Sequence, residues 1–224
     1  MTGSDTQMNI QAVVFDMDGI IFDSEKLVLK CWQVVADKYN VSDIEKSCRD
    51  CLGLNRTATK EYFQNKYGKD FPYDEYKKEM SDLFHEKAAG GKLEKKPGIE
   101  ELLIFLKERK MKLAVASSTR REIVEAELRD GGLFSYFDVI IAGDMVKNSK
   151  PEPDIYLKAC ECLKVTPKEA YAIEDSFNGI RSAHAAGMHP IMVPDMAEPE
   201  EEIRNLCECV LENHFAVKEY LDFL

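Results

Sequence analysis

Two aspartates separated by one residue close a short apolar run near the start of the chain, and no other feature restricts the fold as much. Residues 10–16, Ile-Gln-Ala-Val-Val-Phe-Asp, are mostly apolar and β-branched, as a strand must be when helices cover both faces of a parallel sheet. Side chains alternate along an extended chain, so Asp16 and Asp18 at the end of such a strand point the same way and can share one site. Like charges held that close repel, and a bound divalent cation is the usual way to keep both ionised. Gly19 then frees the backbone for a sharp turn.

Similar runs at Lys112–Ser117, Phe137–Ala142, Ala170–Glu174 and Pro190–Val193 predict further strands, and helix-length segments separate most of them. That alternation means an α/β fold. Pro97 suits the first turn of a helix over 97–110, with Leu102, Leu103 and Leu106 on one face. A helix over 120–130 should stop at Gly131-Gly132, which can take left-handed backbone. Another is expected from Pro151 to about Leu163, and one more from Asn178 to Ala186, closed by Gly187. From about Ser24 to Gly91 strands disappear. Helical spacing there links Leu27, Cys31 and Val34 or Val35, and again Tyr73, Tyr76, Met80 and Leu83. The expected division is a sheet core over 1–23 and 92–224 with an inserted helical cap over 24–91, whose two chain crossings can act as a hinge.

A net charge of -11 works against a nucleic-acid partner, because that affinity comes largely from Lys and Arg displacing counterions. It leaves room for a small phosphorylated substrate, since one local cationic site with a divalent metal can outweigh a distant acidic surface. The apolar stretches are strand-sized and the start MTGSDTQMNI has neither basic residues nor an apolar signal core, so no membrane partner and a cytoplasmic location are expected. A monomer is the default expectation. The seven cysteines include the C-x-x-C pair Cys48/Cys51, but no second ligand pair follows at zinc spacing, so free thiols are expected. Packing accounts for Cys31, Cys160 and Cys207, which fall in helical patterns. The acidic run Glu198, Glu200, Glu201 and Glu202 reads as a solvated helix start.

Three further elements lie at predicted strand ends or in the loops beyond them, where an open α/β sheet places its ligand. Ala116-Ser117-Ser118-Thr119 offers hydroxyls and free N–H groups ahead of a helix, either as a phosphate cradle or as ordinary caps. Lys150, just before Pro151, can neutralise the oxygens of a transferring phosphoryl group. Glu174 and Asp175 end another apolar strand and can complete the hard, oxygen-rich site that Mg²⁺ prefers.

Through these residues, in this order and at these separations, the chain resembles the haloacid dehalogenase-like superfamily, in the branch of sugar-phosphate phosphatases and β-phosphoglucomutase. The likeness covers nearly the whole chain and includes Lys150-Pro-Glu-Pro-Asp154 and Gly179-Ile-Arg-Ser-Ala-His-Ala-Ala-Gly187. It implies a Rossmann-like core with a helical cap, and a Mg²⁺-dependent phosphatase acting on a small phosphorylated metabolite, a sugar phosphate in the first instance. By the same resemblance Asp16 is the nucleophile that forms an aspartyl-phosphate and Asp18 the general acid/base. Ser117, Ser118 and Lys150 would hold phosphate. The metal would take the Asp16 side chain, the Asp18 carbonyl and Asp175, with Glu174 near or acting through water. Glu25, Arg56, Thr119 and Arg120, and with them Tyr76, are expected to line the substrate cavity.

Two other readings compete. A phosphosugar mutase of this branch carries a histidine in the first cap helix and a lysine before the cap glycine, positions held here by Val28 and Leu52. Arg56 does match an arginine of that cap loop. A non-catalytic phosphate-binding protein would have no need of an acid/base two residues from a nucleophile.

Overall fold

The computed structural model describes residues 9–51, 56–195 and 198–223. Six strands, β1 (Ala12–Phe15), β2 (Lys112–Ser117), β3 (Val139–Ala142), β4 (Ala170–Glu174), β5 (His189–Met192) and β6 (Cys209–Val210), form one parallel sheet in the order β3-β2-β1-β4-β5-β6. The chain winds outward from β1 through β2 to β3, returns across the sheet to β4, and continues outward to β6. The reversal opens a crevice between the ends of β1 and β4, where such sheets bind ligands.

Alternation along β1 sets the two layers. Val13 and Phe15 pack with Leu113 and Val115 against α5 (Ile99–Glu108), α6 (Arg121–Asp130) and α10 (His214–Asp222). Ala12 and Val14 pack with the alanines of β2 and β4 against α7 (Asp154–Leu163) and α8 (Phe177–Ala185). These small side chains let α7 come close to the sheet. By the same alternation Asp16 and Glu174 fall on the α7 side, which is where the site forms.

Between β1 and α5 lie the helices α1 (Ser24–Tyr39), α2 (Ile44–Asp50), α3 (Arg56–Tyr67) and α4 (Tyr73–Ala88), with α1 packed along α4. Their shared interior is aromatic: Phe63 meets Trp32, Tyr73 and Tyr76 with ring centroids 5.5, 5.3 and 5.8 Å away. Such contacts add to the burial of large rings. The two segments joining this unit to the sheet pair with each other, Asp23 N–H donating to Glu94 O at 2.8 Å and Lys96 N–H to Ile21 O at 2.9 Å. The Lys96 ammonium lies 2.8 Å from Asp195 and 4.0 Å from Asp23.

Several expectations need correction. The helix expected from Pro151 begins at Asp154, because residues 149–152 close a turn through Glu152 N–H to Ser149 O at 3.1 Å and direct Lys150 inward. Pro97 lies ahead of α5 rather than in its first turn, Gly98 being the cap, and of the glycine pair after α6 only Gly132 is left-handed, with φ +73°. Val34 is 54% exposed while Val35 is buried, which settles the face of α1. The edge strand β6, two residues long, was not expected. The acidic run does start a helix, α9 (Glu201–Leu206), with Glu202 paired to Arg181 at 2.9 Å.

His214, the first residue of α10, is buried against Pro97 O, and burial lowers its pKa from 6.5 to about 4. Between those values the unfolded chain takes up a proton that the folded chain refuses, so this stability is full above pH 6.5 and is lost as pH falls toward 4. The loss is about 3 kcal/mol. Urea unfolding of His214→Gln from pH 7 to 4 should show a correspondingly shallower acid decline than wild type.

Candidate active site

Asp16 is the first residue past β1 and is 8% exposed. Lys150 Nζ donates to Asp16 Oδ1 at 2.5 Å, to Glu174 Oε1 at 2.6 Å and to Ala116 O at 3.0 Å, so one ammonium ties the ends of β1, β2 and β4 together. Glu174 is fully buried and held on both oxygens. Tyr156 O–H donates to Oε1 at 2.7 Å, while Ser176 donates to Oε2 through its N–H at 3.2 Å and its hydroxyl at 3.0 Å. Asp18 accepts from Thr119 Oγ1 at 3.3 Å and from Ser24.

Two glycines make room for these acids. A side-chain carbon at Gly19, whose φ is +79°, would lie 2.2 Å from Asp175 Oδ2, and one at Gly179 would lie 1.9 Å from the Glu174 carboxyl carbon. The turn expected at Gly19 is therefore also a close approach.

Burial raises the Asp16 pKa to about 8, with Lys150 opposing and Glu174 and Asp18 adding repulsion. Asp175 is raised by burial and by Glu174, Asp16 and Glu25. Lys150 stays charged: burial works against it, but Asp16 and Glu174 outweigh that cost. Asp18 is raised by burial, against the pull of Ser24, Thr119, Lys150 and His85. The carboxylates of Asp16, Glu174 and Asp175 each offer an oxygen within 4.8 Å of the others. Three acids facing one ammonium leave an excess of negative charge that a divalent cation offsets, and hard oxygen donors suit Mg²⁺. The residues therefore fit such an ion.

A cavity of ≈ 1040 Å³ opens between this cluster and the cap helices, lined on the core side by Asp16, Asp18, Ser118, Thr119, Arg120 and Lys150. Glu25 lines it as well, and burial together with the neighbouring Asp195 raises its pKa to about 8. Ser117 is buried beneath the wall, its Oγ accepting from Thr119 N–H at 3.1 Å. Tyr76 is enclosed in the aromatic interior, donating to Trp32 O at 3.2 Å, and so leaves the substrate wall to others. The Arg56 side chain, Leu52 and Gly53 lie outside the described residues.

The family model for haloacid dehalogenase-like hydrolases matches residues 13–193. The chain belongs to that family. It is similar to the phosphorylated carbohydrates phosphatase of Thermotoga maritima, 36% identical over 193 residues that cover 81% of this chain and 84% of that protein. It is similar also to the β-phosphoglucomutase of Bacillus subtilis, 29% identical over 192 residues, covering 82% and 83%. Among solved structures, CbbY from Rhodobacter sphaeroides in complex with phosphate superposes with a TM-score of 0.70 at 30% identity, covering 92% of this chain and 95% of that one.

The sequence gives no sign of Tyr156, which reads as one more apolar position of α7, or of His85, an apparently ordinary position on α4. Cys31 and Cys160 are buried free thiols, as packing requires, while Cys48 and Cys51 line the cavity as thiols whose pKa values burial pushes to about 12 and about 11.

Proposed function

We propose that the chain is a Mg²⁺-dependent phosphatase that hydrolyses small phosphomonoesters, sugar phosphates in the first instance, through an aspartyl-phosphate. The observation that carries this reading is the buried triangle of Asp16, Lys150 and Glu174 at the sheet crevice, with Asp18 two residues from Asp16. Asp16 attacks phosphorus while the ester P–O bond breaks, and Asp18 protonates the departing alkoxide. Asp18 then takes a proton from water as it attacks the aspartyl-phosphate, releasing phosphate and restoring Asp16. Burial, which holds the Asp18 carboxyl above its usual range, suits the acid half of that cycle.

Lys150 neutralises the phosphoryl oxygens and lowers the repulsion between substrate and Asp16. Ser118, on the cavity wall, donates its hydroxyl proton to phosphate, while Ser117, buried behind that wall with its Oγ accepting from Thr119 N–H, holds the loop in shape rather than reaching the phosphate as expected. Thr119, Arg120, Glu25 and Arg56 are assigned to the substrate. Asp16, the Asp18 carbonyl and Asp175 would hold Mg²⁺, which would supply positive charge for the phosphoryl oxygens. Glu174 acts mainly by holding Lys150 and Ser176. The cap, residues 24–91, moves on the paired segments at 21–23 and 94–96 to admit substrate and exclude bulk water.

Phosphate release across a panel of phosphomonoesters should require Mg²⁺ and stop with a chelator. β-Glucose 1-phosphate belongs in a parallel isomerisation assay. Isomerisation with little phosphate release would replace this reading by the mutase one, which the Bacillus relative supports, although Val28 puts an aliphatic side chain on the cavity wall.

A further inference from the structure

The three N–H bonds of the Lys150 ammonium are all engaged, with Asp16, Glu174 and Ala116 O. An ammonium has three donors, so it can meet a phosphoryl oxygen only when one of these bonds is given up or shared. The bond to Asp16 is the one to yield, because Asp16 must be free to attack. How readily it yields depends on how hard Glu174 pulls on the ammonium.

Glu174 Oε2 is fixed by the N–H and hydroxyl of Ser176, which caps α8 by accepting from Gly179 N–H at 3.0 Å. Oε1 takes two donors, Lys150 Nζ at 2.6 Å and Tyr156 O–H at 2.7 Å. Two donors on one oxygen compete for the same charge, so the phenol weakens the hold of Glu174 on Lys150. The Tyr156 ring also lies under the ammonium, with Nζ 5.1 Å from its centroid, and supports that charge whichever acid it bonds. Packing does not explain the hydroxyl. Tyr156 is fully buried among the alanines of β1, β2 and β4, where phenylalanine would fill the same space and leave no polar group to desolvate. What the hydroxyl adds is the bond to Glu174 Oε1.

We propose that Tyr156 is a positioning residue whose hydroxyl shares Glu174 Oε1 with Lys150, so that the ammonium can turn one N–H from Asp16 to an incoming phosphoryl oxygen. The kinetic half of this inference rests on the phosphatase reading, and the binding half does not. Tyr156→Phe removes the hydroxyl and keeps the ring. The Kd for inorganic phosphate is read from the rise in thermal midpoint with phosphate at fixed Mg²⁺, in wild type, Tyr156→Phe, Glu174→Gln and the double variant. In parallel, kcat is measured for wild type and Tyr156→Phe on the fastest ester of the panel. Tyr156→Phe should raise the phosphate Kd about tenfold and lower kcat about tenfold. In the Glu174→Gln background, where no carboxylate charge pulls on the ammonium, the same substitution should change Kd by less than about twofold. A phosphate Kd that Tyr156→Phe leaves unchanged overturns the proposal. So does an equal loss in both backgrounds, which would trace the effect to packing. A Tyr156→Phe chain that does not fold overturns it too, because the hydroxyl then serves the fold. The expected Kd values with no wild-type turnover across the panel sink the phosphatase reading and leave the positioning role standing, whereas turnover with an unchanged Kd sinks this inference alone.

Discussion

An Asp16→Asn variant should release phosphate at least about 10⁴-fold more slowly than wild type, because the amide cannot form the acyl phosphate and no other described carboxylate stands in its place at the end of β1. The same substitution should make the metal-free fold relatively more stable as pH rises. Asp16 has a folded pKa near 8 against an ordinary 3.8, raised first by burial and then by Glu174 and Asp18 against Lys150. Between those values the folded protein keeps a proton that the unfolded chain has lost. Asp16 therefore contributes most at low pH, and that contribution is lost as pH climbs through 8. Asparagine has no such dependence. Urea unfolding in chelator at pH 5 and pH 8 should show the variant gaining on wild type between the two, and added Mg²⁺ should stabilise wild type more than the variant. Undiminished phosphate release by the variant would place the nucleophile elsewhere.

Those paired effects, lost turnover with gained stability, are what a site built from crowded acids should give. The sheet holds Asp16, Glu174 and Asp175 where their repulsion and desolvation are costly, and Lys150 relieves only part of it. A structural ion pair has no need of a third acid. The surplus negative charge makes sense as a site completed by a cation and a phosphoryl group, which return the balance when they arrive.

The sequence makes the frame of this arrangement legible and leaves its supports hidden. Asp16 and Glu174 are visible because each closes an apolar run at a strand end, whereas Lys150 lies in the polar loop beyond β3 and is marked by its place before Pro151 and by the family resemblance. β2 and β4 are bounded to the residue for the same reason: both are buried on both faces and end on a polar side chain. Tyr156 and Gly179 leave no local trace, since their roles come from α7 and α8 approaching Glu174 across the sheet, and that approach is tertiary. His85 reaches the cavity wall through the way the cap helices pack, which helical periodicity cannot tell. The Pro151 start failed because a proline fits a turn as well as a first helical residue, and the inward pull of two carboxylates on Lys150 favours the turn.

Replacing Lys150 by methionine should separate what this residue does for the fold from what it does for the reaction. The side chain is 7% exposed and bonds Asp16, Glu174 and a strand carbonyl, so the variant leaves two buried acids without their shared cation. Breaking a buried pair in this way costs about 3–5 kcal/mol, read as a fall in the urea midpoint of the metal-free protein. Removing one of the stranded charges should recover part of it, and Glu174→Gln is the better choice because Tyr156 and Ser176 remain as partners. Turnover behaves differently. Loss of the ammonium should lower kcat by about 10²–10³-fold, and Lys150→Met/Glu174→Gln should stay as slow as the single variant, since an amide cannot supply the charge that the phosphoryl oxygens need. A double variant that recovers both stability and rate would show that Lys150 serves the fold alone; recovery of stability without rate is the expected result.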